Sequence, residues 1–175
     1  MLRYLSGLDV SLFYLINHLP HNLILNFIFG SITLVGYLGI IWFIIGFIIY
    51  FKEKKRDRRL LFSLALVELF SIFVEVSVKN MVGRLRPQFV LPGVIEPFDF
   101  YRSFSFPSGH AVIAFAGAFV LSRYKPKFKW LFYSIAVIIS FSRIYLGKHF
   151  PSDILGGAVI GMGIGWFADK IKAKI

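Results

Sequence analysis

Four stretches of this sequence, residues 23–51, 60–78, 130–144 and 154–171, are so predominantly apolar that water cannot be their surroundings. A helix needs ~20 mainly apolar residues to cross a bilayer, and fewer where protein shelters its end. A fifth stretch, 110–124, is shorter but is bounded by Pro107 and by Lys125-Pro126, which punctuate helices. Hydrophobic residues make up 57% of the chain and charged residues 17%, and a soluble core of this size cannot absorb that excess. Lipid can. The expected fold is all-α: a polytopic membrane helix bundle of five transmembrane helices, with six as the alternative count. At 175 residues the chain has room for one domain, residues 1–175.

Residues 1–20 do not read as a signal peptide, because Asp9, Asn17 and His18 interrupt the apolar run and no small-residue cleavage site follows. Leu8, Leu12, Leu15 and Ile16 share one helical face, which predicts an amphipathic helix lying at the membrane interface. The 23–51 stretch exceeds what one straight span needs, so a tilt or a kink near Gly36 and Gly39 is expected.

Orientation follows from the basic residues in the short connections. Lys52, Lys54, Lys55, Arg56, Arg58 and Arg59 form one cluster, Arg123, Lys125, Lys127 and Lys129 a second, and Lys170, Lys172 and Lys174 a third. Five spans put all three on one side, the cytoplasm. The net charge of +11 is thus a topological signal and not a footprint for nucleic acid, which is not expected as a partner. Cysteine is absent, excluding disulfides, a thiol nucleophile and a thiolate metal site.

Apart from Arg3, the remaining cations break the pattern. Lys79, Arg84, Arg86, Arg102, Arg143 and Lys148 fall at the opposite, outer ends of the spans, where the orientation rule disfavours them. Lys79-Asn-Met-Val-Gly-Arg-Leu-Arg86-Pro87 ends the second span. Arg suits bidentate contact with phosphate oxygens and Lys acts as a point charge, although a snorkelling helix end would look the same. Pro107-Ser108-Gly109-His110 opens the third span. Free N–H groups and the helix dipole make such a start an anion site, and a histidine beside it can protonate a leaving oxygen. A plain helix cap with an interfacial histidine fits that segment equally well.

Ser142-Arg143 and His149-Phe-Pro-Ser-Asp153 form the third group. Pro151 starts the last span, which puts Asp153 in its first turn. A carboxylate there can accept the Nδ1–H of His149 and leave Nε2 unprotonated and aimed at phosphorus, an activated nucleophile with its orienting group. Asp153 could also serve only as a cap. No cap explains Arg143 and Lys148 beside it.

Taken together, the three stretches resemble the type-2 phosphatidic acid phosphatase family of membrane lipid phosphatases. The family pattern is Lys, six residues, Arg-Pro; then Pro-Ser-Gly-His; then Ser-Arg, five residues, His, three residues, Asp. Lys79 with Arg86-Pro87, Pro107 to His110, and Ser142-Arg143 with His149 and Asp153 match every defining position, within residues 60–171. The resemblance implies a metal-free, cofactor-free phosphohistidine mechanism at the outer membrane surface. Lys79, Arg86 and Arg143 would bind the phosphoryl oxygens, assisted by Ser108 and the Gly109 N–H. His149 would attack, Asp153 would orient it, and His110 would protonate the leaving group and then activate water. Arg84 is no family position; a second phosphate and a lipid head group are equally open to it.

The resemblance makes the partners a bilayer and a membrane lipid phosphate, with phosphatidylglycerol phosphate, undecaprenyl diphosphate and lipid A 1-phosphate as the substrates in view. The localisation it implies is the inner (plasma) membrane. Two other readings stand beside this one. Soluble vanadium-dependent haloperoxidases resemble the family in the same phosphate-site residues, but hydropathy argues against that class. A non-enzymatic channel or anionic-lipid-binding protein would need the cations but no nucleophile. Within the second span Glu68 and Glu75 share a face; a structural role is expected for Glu68 and pairing with Lys79 or another site cation for Glu75.

Overall fold

In the computed structural model, which describes residues 2–54, 56–98 and 103–172 with side chains from 7 to 170, every apolar stretch is helical. Lys55, Asp99, Arg102, Lys172 and Lys174 lie outside the described side chains. The elements are α1 (Leu2–Asn17), α2 (Leu23–Gly36), a 3₁₀ turn (Tyr37–Gly39), α3 (Ile40–Lys52) and α4 (Arg58–Val82). They continue with the short α5 (Pro87–Val90), α6 (Gly109–Tyr124), a 3₁₀ turn (Pro126–Phe128), α7 (Lys129–Tyr145) and α8 (Pro151–Lys172). Side-chain caps start two of them: the Asn22 carbonyl oxygen accepts from Leu25 N, and Asp57 accepts from Arg59 N. Gly83, at φ 62, ends α4 in a left-handed turn that releases the chain toward Arg84 and Arg86.

The kink expected near Gly36 and Gly39 is present as a full break between α2 and α3, with Leu38 at φ 51 and Gly39 at φ 70. Three stretches, Leu23–Lys52, Arg58–Val90 and Pro126–Tyr145, are long and apolar enough to cross a membrane by length and composition. α6 and α8 occupy the expected positions but are not among them. The reason lies in packing. α6 has 16 residues and sits inside the bundle, against α4, α7 and α8, so small residues replace the large apolar ones a lipid-facing helix carries. Ala111, Ala114, Ala116, Gly117 and Ala118 are all buried on it. A Cβ at Gly161 of α8 would lie 2.2 Å from the Val112 carbonyl oxygen, so the two backbones touch only because both sides are bare. The core of Trp42, Leu64, Ala118, Phe132 and Ile139 joins α3, α4, α6 and α7.

α1 turns its faces as its amphipathic sequence requires, with Leu8, Leu12 and Leu15 exposed. Its inward face is polar at two points, Asp9 and Asn17, with Phe13 buried between them. Asn17 donates to Tyr145 O (2.9 Å) and Ile95 O (2.8 Å), and Asp9 accepts from Ser152 N (2.8 Å). α1 therefore lies across the end of the bundle where α7 finishes and α8 begins.

Candidate active site

At that same end, three segments distant in sequence converge. Lys79 closes α4, Arg86 follows it, Gly109 and His110 open α6, Arg143 is in the last turn of α7, and His149 is in the turn before α8. All six line one cavity of about 520 Å³. Ser108 and Asp153 stand directly behind them, both fully buried. The eight residues singled out by sequence thus meet in one place, six at the cavity wall and two supporting it.

Local folding explains each placement. Gly147, at φ 72, lets the chain reverse after α7; a Cβ there would lie 2.7 Å from Ile95 O. Pro151 then begins α8 and leaves His149 just outside it. Ser108 precedes α6 at its cap position without a side-chain cap bond; its N–H donates to Asp153 O (3.1 Å), and its Oγ has no partner among the described residues. The first N–H groups of α6, from Gly109 onward, have no carbonyl before them in the helix and suit an anion. Glu75 pairs with Lys79, as its spacing predicts, and also packs against Gly109.

Arg86 is fixed before any substrate arrives. Its Nε donates to Ser103 O (2.7 Å), Nη2 to Ser103 Oγ (2.9 Å) and Nη1 to Lys148 O (3.0 Å), while Nη1 lies 3.4 Å from His149 Nε2. Arg143 Nη1 donates to Thr33 Oγ1 (3.2 Å), tying α7 to α2. The His149 Nε2 therefore faces the cations, and its Nδ1 faces Asp153. Burial, with Arg86, Arg143 and Lys79 nearby, holds the His149 imidazole well below its ordinary pKa. A neutral ring is what a nitrogen nucleophile needs.

Two expectations are corrected here. The Nδ1 of His149 is 3.5 Å from Asp153 Oδ2, beyond a good hydrogen bond, because that oxygen already accepts from Ser105 Oγ (2.5 Å) and Phe150 N (2.8 Å). Arg84, for which a second phosphate and a head group were equally open, lies outside the cavity lining and is held by protein groups. Its Nη1 donates to Asp153 Oδ1 (2.6 Å) and Ser152 Oγ (2.6 Å), and its Nη2 to Asp9 Oδ2 (2.7 Å). Sequence reasoning passed over Thr33, Ser103 and Ser105, and read Asp9 only as an interruption of an apolar run. Ser103 and Ser105 alternate with Phe104 and Phe106, and Thr33 interrupts an apolar stretch; those isolated hydroxyls were the only signal.

A second cavity of about 440 Å³ shares His110 and Arg143 with the first but not His149. Phe27, Leu34 and Phe98 give it largely apolar walls.

The chain is similar to the undecaprenyl-diphosphatase of Sulfolobus acidocaldarius, 34% identical over 68% of this chain and 58% of that protein. It is similar to phosphatidylglycerophosphatase B of Bacillus subtilis, 33% identical over 86% of this chain and 77% of that one. A lipid A 1-phosphatase of Rhizobium etli is 36% identical over 57% of this chain and 44% of its own length. The chain thus spans less than two thirds of the length of two of these curated relatives, 58% of the first and 44% of the third. Among solved structures, LpxE of Aquifex aeolicus superposes with a TM-score of 0.75 at 32% identity, covering 93% of this chain and 95% of that one. The PAP2-type phosphatidylglycerolphosphate phosphatase of Bacillus subtilis superposes with a TM-score of 0.74 at 28% identity, covering 98% and 88%. The PAP2 superfamily model itself matches residues 58–174, the stretch that carries every cavity-lining cation and both histidines, and the chain belongs to that superfamily.

Proposed function

We propose that the protein is an integral membrane lipid phosphatase that hydrolyses a phosphomonoester or diphosphate through a phosphohistidine on His149. One observation carries the reading: three cations and two histidines from three separate segments line a single cavity. Lys79, Arg86 and Arg143 take the phosphoryl oxygens, with Ser108 and the Gly109 N–H beside them. His149 Nε2 attacks phosphorus, and the negative charge that builds on the oxygens meets donors already in place. Asp153 keeps the ring turned toward the cations. His110 borders both cavities while His149 borders only the first, which supports His110 on the leaving-group side. The apolar second cavity then suits the departing lipid.

The names of the relatives support phosphatidylglycerol phosphate, undecaprenyl diphosphate and lipid A 1-phosphate as substrates to compare. No metal enters this mechanism. Among the described residues no group of three His, Asp or Glu is placed to hold a metal ion, and Glu75, the carboxylate at the cavity wall, is tied to Lys79. Phosphate should be released from at least one of the three lipids in mixed micelles, at the same rate after exhaustive chelation. Restoration by a divalent ion of activity lost to chelation would overturn the metal-free mechanism. Binding of all three lipids without any release would favour a non-enzymatic lipid-binding protein.

The same reading places the site on the extracytoplasmic face of the plasma membrane, with five spans and α1 lying along the interface. The basic clusters flanking α3, α4, α6 and α7 at the end opposite the cavity support that orientation. Because the chain has no cysteine, single-cysteine variants report cleanly. In intact cells Pro92→Cys should react with an impermeant thiol reagent and Lys54→Cys should not. The reverse labelling would invert the topology.

A further inference from the structure

Among Lys79, Arg84 and Arg86, Arg84 alone stays away from the site cavity. It is nevertheless heavily engaged. The guanidinium bridges Asp153 Oδ1 and Asp9 Oδ2, also donates to Ser152 Oγ, and stacks 4.1 Å from the centroid of the Phe150 ring. Asp9 completes the circuit: its Oδ1 accepts from Ser152 N (2.8 Å) and its Oδ2 from Ser152 Oγ (2.5 Å).

These bonds solve a local problem of α8. Phe150, just before the helix, has no side chain that can cap it. Asp153 reaches back from the first turn to accept the Phe150 N–H (2.8 Å), half of a capping box. The Ser152 N–H is left over, and Asp9 takes it from a helix 143 residues away in the chain. The same carboxylate that caps α8 lies 3.5 Å from His149 Nδ1 and, in the mechanism proposed above, orients that ring by its position and charge rather than by a close hydrogen bond. Asp153 is fully buried, so its charge needs a partner, and Arg84 is the cation in contact with it.

We propose that Arg84 and Asp9 are positioning residues for the phosphatase reaction, holding Asp153 ionised with Oδ2 turned toward His149, so that α1 is a working part of the site. This rests on the reading of His149 as nucleophile given above. With Arg84 occupying Oδ1, the carboxylate cannot rotate, and Oδ2 remains against Ser105 Oγ, Phe150 N and the His149 ring. The charged and titratable groups around Asp153 are Arg84 from the segment after α4, Asp9 of α1 beyond it, and His149 from the turn before α8. Arg84 touches no part of the cavity where phosphate binds, so its loss should act on turnover and not on affinity.

The test uses the full-length protein and a lipid phosphate that the wild type hydrolyses, with Arg84→Ala, Arg84→Lys, Asp9→Asn and the double variant Asp9→Asn/Arg84→Ala. Arg84→Ala should lower kcat by about 10–100-fold, the scale on which groups that orient a site's ligands act, with KM little changed. The acid limb of single-turnover phosphorylation should move to higher pH, because a buried carboxylate without its cation takes up a proton more readily. Arg84→Lys should keep the limb near its wild-type position yet recover only part of kcat, since a compact ammonium lacks the rigid fork that fixes both carboxylates at once. Asp9→Asn should reduce kcat less, and the double variant should be no worse than Arg84→Ala alone.

A raised KM with intact kcat would overturn the proposal, because Arg84 would then be touching substrate. So would a lower kcat with an unmoved acid limb and additive losses in the double variant, the mark of a merely structural part. Should Arg84→Ala not fold, Asp9→Asn decides: wild-type kcat and an unmoved limb refute the role. A wild type inactive on every lipid phosphate refutes the phosphatase reading itself, whereas active wild type with unaffected variants refutes only the positioning role.

Discussion

His149→Ala abolishes turnover on every phosphate ester, whatever the leaving group, and leaves no phosphate on the protein. The expected loss is on the order of 10⁶-fold, the scale on which removing a covalent nucleophile acts. In the proposed mechanism nothing nearby takes over: His110, which lines the same cavity, acts on the leaving-group side, the cations at the wall are bound to protein oxygens, and Glu75 is paired with Lys79. Binding should survive, because Lys79, Arg86, Arg143 and the first turn of α6 do not depend on the imidazole for their placement. Arg86 is held by Ser103 and the Lys148 carbonyl, and Arg143 by Thr33. The measurement is single-turnover phosphorylation with acid-labile phosphate on the protein as readout, beside equilibrium binding of the uncleaved lipid. Acid-labile phosphate on His149→Ala protein would show that another residue is the nucleophile.

The helices, and the eight candidate residues that the structure brings together, were legible in the sequence because both are written locally. Apolar run length marks residues 23–51 and 60–78, and Pro107 and Pro151 mark helix starts on which Gly109 and Asp153 are then placed by counting. The kink at Leu38 and Gly39 was legible for the same reason. What escaped is what joins distant segments. Arg84 has partners 69 and 75 residues away, and no spacing rule distinguishes a cation bound to a buried carboxylate from one waiting for phosphate. Asp9 read only as a flaw in an apolar face, whereas it points inward and caps another helix. The Asp153–His149 bond was expected from their one-turn spacing, yet Ser105, from a segment of aromatic residues, occupies the carboxylate instead. Spacing brings two groups within reach. Only the packing of the third group decides whether they bond.

His110→Ala, in contrast to the loss of His149, should produce a defect whose depth depends on the leaving group. His110 stands in the first turn of α6 with its Nε2 buried and without a hydrogen-bond partner among the described residues, at the boundary between the cavity that holds the cations and the one beyond it. In the proposed mechanism that nitrogen gives a proton to the oxygen departing from phosphorus. General acid catalysis is typically worth about 10²–10⁴-fold. The whole factor should be lost in phosphoenzyme formation with an alkyl phosphate, whose oxygen leaves poorly as an anion. With an aryl phosphate carrying an electron-withdrawing group the oxygen departs as a stable anion, so the same variant should lose much less in that step. Hydrolysis of the phosphohistidine needs water to be deprotonated, and His110, having given up its proton, is the base for it. The variant should therefore accumulate phosphoenzyme with the aryl substrate, although wild type does not. Rapid-quench measurement of acid-labile phosphate with the two substrates separates the steps. An equally deep loss in phosphorylation with both leaving groups would remove His110 from the acid role, since a proton donor cannot matter equally to an oxygen that needs the proton and one that does not.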